Sequence, residues 1–409
     1  MKNLNEIIKI QISRKEHGEK PTTLLAVCPN SSAVLEAAIK SAARKRSIML
    51  FAATLNQVDF EDGYTGWTPG EFVNQIQVYA EKYQWTGPLY PCLDHGGPWL
   101  KDLHTLKNLS YAETMGKVKI SIKACVKAGY QLLHIDPTVD RTFPSNHPIP
   151  LGLVVDRTVE LIALAEHYRR DNCLPSIAYE VGTEEVHGGL VDLTRFNQFL
   201  TLLRIQMKDK ELVDCWPCFF VAQVGTDLHT TIFNSQASQR LYSMLAPNDS
   251  LVKGHYSDWV ENPEEYPATG MGGANVGPEF TAEEYLALKE FANMEVEITS
   301  QLNIEPSNFL KTLQEVVIES GRWKKWLHPD ELDLNFIDLP IQRKEWLLQT
   351  GSRYIWTDYR VKTARKKMYE NLSIRISDPD EYVVDKIATV IEKYIEAFNL
   401  QDSIDILGG

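Results

Sequence analysis

The chain is poor in cysteine. Six are spread over 409 residues, at positions 28, 92, 125, 173, 215 and 218. So sparse a set argues against a disulfide-stapled extracellular scaffold and fits a reducing cytosol. No run of about 18 apolar residues occurs, so no membrane span is expected. Positive charge is short: 42 Lys and Arg stand against 55 Asp and Glu, a formal net charge of −13. Such a surface repels phosphate backbones, which argues against nucleic-acid binding. The opening stretch MKNLNEIIKIQISRKEHGEK mixes both signs and has no apolar centre, so it is not expected to be a secretory signal. Internal repeats and low-complexity tracts are lacking too. Cys215-Trp-Pro-Cys218 forms a CxxC. A redox pair needs its first thiol at a helix N-terminus, whereas CWPCFFVAQV reads as a strand. Two packed core thiols are expected there, and with no second CxxC a zinc site is not.

What is present is a rhythm. Short apolar runs fall at 22–29, 47–54, 89–96, 130–137, 175–183, 218–226, 250–258 and 272–280. Between most of them lie helical patterns with apolar residues at three-to-four spacing, as at 31–45, 111–129 and 156–171. Continuous apolar strands alternating with helices imply a parallel sheet covered on both faces. Eight such units predict a (β/α)8 TIM barrel over residues 1–300. The seventh helix is expected to be short, because ENPEEYPATG at 261–270 carries two prolines. Beyond 300 the pattern changes. Segments 308–327, 340–356 and 380–400 are amphipathic, which predicts a C-terminal helical extension, 301–409, packed on the barrel.

In such a barrel, polar residues at the C-terminal ends of the strands read as the site. Asp94 and His95 end the third strand, and His134 and Asp136 the fourth. Thr183 and Glu184 end the fifth, with His187 just after. The sixth runs into Thr226, Asp227 and His229, the seventh carries His255 and Asp258, and the eighth Asn275. Three imidazoles and a carboxylate on one rim are the usual shell for a divalent metal, zinc first, with manganese, cobalt or nickel as alternatives. A catalytic zinc keeps one position open and polarises a carbonyl. His134, between Leu133 and Ile135, reads instead as a core histidine. His187 reads equally as a ligand or a loop residue. Asp136 reads either as the group that orients a ligand or as a cap before Pro137. Gly96 and Gly97 are expected to leave room for substrate. Trp67, Trp99 and Trp259 suit either a sugar site or loop packing.

At these residues the sequence resembles class II aldolases, above all the so-called non-catalytic Z subunit family of class II D-tagatose-1,6-bisphosphate aldolase and related ketose epimerases. The likeness runs through CPNSSAVLEAA (28–38), TLNQVDFEDGYTGWTP (54–69) with its Asn56 and Gln57, LDHGGPW (93–99), AGYQLLHID (128–136), GTEEVHGG (182–189), GHYSDW (254–259), NVGPEF (275–280) and SRYIW (352–356). The resemblance implies that Asp94 acts as acid and base on a substrate hydroxyl. It implies that His95, His229 and His255 bind metal. A Glu-Leu-Gly segment of the pattern falls close to Glu184, which is expected near the metal and as a second base. Asn275 is implied to contact an enediolate. Asn56, Gln57, Asp136, His187 and Asp258 are further substrate-binding candidates.

Two departures matter. The aldolase pattern follows its third histidine with a glycine/serine nest for phosphate, but here His255 precedes Tyr-Ser-Asp-Trp, and Asp258 would repel a phosphate. On strand eight Pro278 replaces a phosphate-binding threonine. The GMGG cluster at 270–273 is the remaining nest candidate, or merely turns the chain. The Z family also commonly has an acidic residue where this chain has His229. Intact metal chemistry with weak phosphate recognition favours a metal-dependent enzyme on an unphosphorylated ketohexose or ketouronate. A supporting subunit of a separate aldolase, and a tagatose-bisphosphate aldolase in its own right, remain the alternatives. The expected partners are a small sugar and either further copies of the chain or an aldolase subunit; no nucleic acid or membrane is expected.

Overall fold

The computed structural model describes residues 2–61, 63–144, 149–182, 189–227 and 230–408. Eight parallel strands close into a barrel: β1 (Leu24–Val27), β2 (Met49–Thr54), β3 (Leu89–Gly96), β4 (Leu132–Ile135), β5 (Ala178–Gly182), β6 (Phe219–Val221), β7 (Leu251–Gly254) and β8 (Gly273–Val276). Every expected apolar run contains one of them. Closure comes from β1, which pairs with β8 from Leu24↔Gly273 to Val27↔Val276 and with β2 on its other side. The strands are almost wholly buried because helices cover the outside and side chains fill the inside, hence their unbroken apolar character.

Local signals set the helix starts. Thr68 and Ser110 each form a reciprocal capping box with the glutamate three residues on, Glu71 and Glu113. The helix Tyr111–Ala128 stops at Gly129, whose φ of 90° suits a residue without Cβ. The seventh helix is a single five-residue turn, Glu265–Thr269, as its prolines foretold. Cys215 closes a 3-10 turn rather than lying in a strand, and Cys215 and Cys218 are buried free thiols. Among the described residues no helix is long and apolar enough to cross a membrane.

The two ends of the barrel are closed differently. The helix Leu4–Glu16 covers the N-terminal end, where Gln11 Nε2 donates to the carbonyls of Thr22 and Gly272. Residues past 302 cover one flank and reach the opposite mouth. The helix Pro379–Ala397 lies on the helix Ser32–Lys45, tied by Lys40 to Glu381 and Asp385 and by Lys45 to Glu396. The segments Phe309–Ser320, Arg322–Trp326 and Ile341–Gly351 continue to the mouth, where Arg322 and Lys325 both pair with Asp102 after β3.

Candidate metal centre and substrate pocket

A cavity of about 390 Å³ opens at the C-terminal ends of the strands, within the usual range for small-molecule sites. Its barrel wall includes Asn56, Gln57, Asp94, His95, His255, Asp258 and Asn275, seven of the residues expected at the site. Asp94 and His95 are sequence neighbours, which in a regular strand point to opposite faces. The strand is irregular here. The β3–β4 register shifts between Leu93 and Gly96, and His95 has a φ of 50°. That bulge turns both side chains into one cavity, a strained backbone placed at a functional rim. The two glycines that follow serve β4 rather than a substrate. A Cβ on Gly97 would lie 1.7 Å from the Asp136 carbonyl oxygen, and one on Gly96 2.8 Å from that of His134.

Asp94, His95, His134 and His255 each offer a ligand atom, all within 4.8 Å of one another. The carboxylates around them orient the rings. Asp136 Oδ2 lies 2.6 Å from His95 Nδ1, and Glu180 Oε1 lies 2.9 Å from His255 Nε2. Each contact takes a ring N–H, which directs the other nitrogen's lone pair inward. Those two nitrogens, His95 Nε2 and His255 Nδ1, stand 3.1 Å apart. Facing lone pairs repel unless a cation lies between them: a proton in the metal-free chain, a metal ion in a loaded one. Two nitrogens on one zinc at 2.0–2.1 Å stand about 3.4 Å apart in tetrahedral geometry, so the spacing fits a shared ion.

The charges agree. Burial opposes a charge on His95, but Asp94 and the bonded Asp136 outweigh it and raise its pKa to about 9. Burial prevails at His255 and lowers its pKa to about 4. One ring therefore carries the proton that a metal would displace. Burial also works against the Asp94 carboxylate, but His95 and its other cationic neighbours hold it well below the usual range. Asn275 Nδ2 donates to Asp94 Oδ2 at 3.1 Å, and His134 Nδ1 lies 3.1 Å from Oδ1. Among the described residues, His134 Nε2 and Asn275 Oδ1 are buried without partners.

Two groups beneath the rim were not expected from the sequence. Glu180 is fully buried, opposite His134 in register, and pairs with Lys253 Nζ at 2.8 and 3.0 Å. Burial alone would lower the pKa of Lys253, but Glu180 and Asp94 raise it. It is an ammonium, not the neutral amine a Schiff-base lysine requires. Glu180-Val181-Gly182 spells the glutamate–aliphatic–glycine pattern that the sequence reading placed near Glu184, and that was the available signal. His134, read as a core residue, proves to belong to the cluster. Asp136 combines the two alternatives weighed for it, orienting His95 and accepting from Thr138, but it does not line the cavity as a substrate-binding residue would. Glu184, His187 and His229 lie outside the described residues.

Asp258 is buried and lines the pocket, and its Oδ1 accepts from the amides of Gly277 and Glu279 at 2.9 and 2.8 Å. These amides begin the helix Pro278–Leu302, where an anion would otherwise bind. Burial raises the Asp258 pKa to about 7. The GMGG cluster is no nest: Gly272 packs on Leu251 and Phe219 at the far end of the barrel. Trp67, Trp99 and Trp259 do not line the cavity. Its aromatic residues are Tyr64, Tyr256, Trp326 and Tyr354.

Residues 8–397 match the family model described as D-tagatose-1,6-bisphosphate aldolase subunit GatZ/KbaZ-like. The chain belongs to that family. As a GatZ/KbaZ-like protein it is related to tagatose-bisphosphate aldolase. Its fold is shared by a probable tagatose 6 phosphate kinase from Sinorhizobium meliloti 1021, 19% identical, with a TM-score of 0.75 over 92% of this chain and 100% of that one. It is also shared by a fructose-bisphosphate aldolase from Campylobacter jejuni, 9% identical, with a TM-score of 0.55 over 98% of this chain and 96% of that one.

Proposed function

We propose that this GatZ/KbaZ-like protein is a divalent-metal-dependent enzyme that epimerises a ketohexose or ketouronate. The observation that carries the reading is the pair of inward lone pairs on His95 and His255, each fixed by its own carboxylate. These two rings would hold the ion with a third imidazole, His134 or His229. A divalent ion there supplies Lewis-acid polarisation of the sugar carbonyl.

Asp94 is the base. It is ionised, fixed by Asn275 and open to the cavity. In this mechanism it takes the proton from the C4 hydroxyl, and cleavage of C3–C4 follows. Rotation of the retained aldehyde and re-addition invert C4, with Asp94 returning the proton. Removal of the C3 proton, the work assigned to Glu184 from sequence, is the other route to an epimer. Zinc is the metal expected, with manganese, cobalt and nickel as alternatives.

The test is metal content of the purified protein, with incubation of the metal-loaded form with D-fructose and D-tagatose. One ion per chain and interconversion of the sugars are expected. Asp94→Asn should keep the metal and lose about 10²–10⁴-fold in rate. No bound metal and no turnover would overturn the reading.

A second reading, a supporting subunit of a separate aldolase, draws on the family's description and on an exposed apolar stretch, Leu332, Ile337 and Ile341. Under it, turnover appears only in the partner's presence.

A further inference from the structure

The wall of the cavity opposite the histidines comes from the C-terminal extension and is cationic. Arg322, Lys325 and Arg353 all line it, in a chain whose net charge is −13. Arg322 and Lys325 share one carboxylate, Asp102, at 2.7 and 2.9 Å. One negative charge thus faces two positive ones.

Arg353 is more telling. It is 7% exposed, and Nε donates to the Thr350 carbonyl at 2.9 Å. Its guanidinium lies over Trp326, 4.7 Å from the ring centre, and 5.3 Å from that of Tyr354. Those contacts fix the plane of the fork. Its Nη2 is buried with no hydrogen-bond partner among the described residues, and although the Asp258 carboxylate across the cavity feels its charge, no carboxylate there makes a close pair with it. A buried cationic donor without an acceptor is costly. A preset, stacked arginine fork is the group suited to a phosphate or carboxylate. Asp258 already occupies the helix amides on the barrel side, so an anionic ligand has its acceptors satisfied on the extension side instead.

We propose that Arg353, with Arg322 and Lys325, binds the anionic end of the sugar, a phosphate ester or a carboxylate, whose carbonyl end meets the histidine cluster. This rests on the reading that the cluster acts on a ketose, and it narrows that substrate to one carrying a charged terminus.

Binding to the metal-loaded full chain is measured by calorimetry, so that turnover is not the readout. The probes are D-fructose 6-phosphate, D-fructuronate and D-fructose. The anion subsite predicts that the ester or the uronate binds at least about tenfold tighter than D-fructose, and whichever does so identifies the end group. Arg353→Met should abolish that preference, with D-fructose losing far less affinity than the ester or uronate and metal content retained. Arg353→Lys, which keeps the charge and loses the fork, should recover part of it. Equal affinity for all three probes overturns the proposal. So does an equal loss of D-fructose binding in Arg353→Met, or in Arg353→Lys should the methionine variant not fold. Tight ester or uronate binding without any epimerisation would leave the subsite standing and remove the epimerase reading instead.

Discussion

The two walls of the pocket invite opposite charges. On the barrel wall the atoms turned toward a cation are acceptors: the facing nitrogens of His95 and His255, which share a proton in the metal-free chain, and the Asn275 carbonyl oxygen. On the extension wall the unanswered atoms, among the described residues, are donors, Arg353 Nη2 and Trp326 Nε1. The first wall is built on strand ends, backed by a buried layer of Glu180, Lys253 and Asp136. The second is built on helix and turn residues stacked on aromatic rings. A cation site needs fixed lone pairs, which a barrel rim supplies. An anion site needs a planar cation held flat, which a ring stack supplies. The difference teaches that an inserted or appended segment can change what a barrel recognises without touching the strands.

The comparison can be broken most severely from beneath the barrel wall. Lys253→Met leaves Glu180 ionised and buried without its main partner, which should cost about 3–5 kcal/mol of folding stability. Chemical denaturation checks this, and the double change with Glu180→Gln should recover much of the loss. Next is the orienting contact itself. Asp136→Asn keeps the shape but no longer anchors the His95 ring as a carboxylate. Metal affinity should fall about 10–100-fold in a chelator titration, with stability little changed. Smallest is a change on the outer surface, where the last barrel helix, Pro278–Leu302, meets the extension. Lys289 and Glu345 pair at 2.6 Å between partly exposed side chains. Lys289→Ala should cost no more than about 1 kcal/mol and leave both walls as they were, a control read by the same denaturation.

The barrel was legible because both sheet faces are covered: each strand is an unbroken apolar run, and each run sits between helix patterns. Asp94, His95, His255 and Asn275 were legible because polar residues at strand ends stand out against that background. His134 and Glu180 were not, for the same reason reversed. Each lies inside an apolar run, and only the barrel's alternation of inward and outward residues decides that both point into the barrel, beneath the cavity. The bulge at His95 has no local signal beyond two glycines. The helix Tyr359–Leu372 was missed because it is densely charged and only Val361, Ala364, Met368, Asn371 and Leu372 are buried. Arg353 was visible as part of SRYIW, but its own contacts are local, and its place in the pocket depends on the extension reaching the mouth, where the Thr357 hydroxyl donates to the Tyr64 carbonyl 293 residues away.

That distance has a further meaning for how the molecule assembles. The amide of Thr23, beside β1, bonds the carbonyl of Phe398, and the amide of Asp402 bonds that of Lys45. Closing such long loops costs entropy that local helices and neighbouring strands do not incur. Barrel strands that pair with near neighbours gain their contacts first, whereas the extension gains its own only when the last helix finds the first. By this argument neither wall is finished locally: the metal wall waits for His255 to reach His95 and Asn275 to reach Asp94, the cationic wall for Arg322 to reach Asp102, and the pocket is a late product of the whole chain.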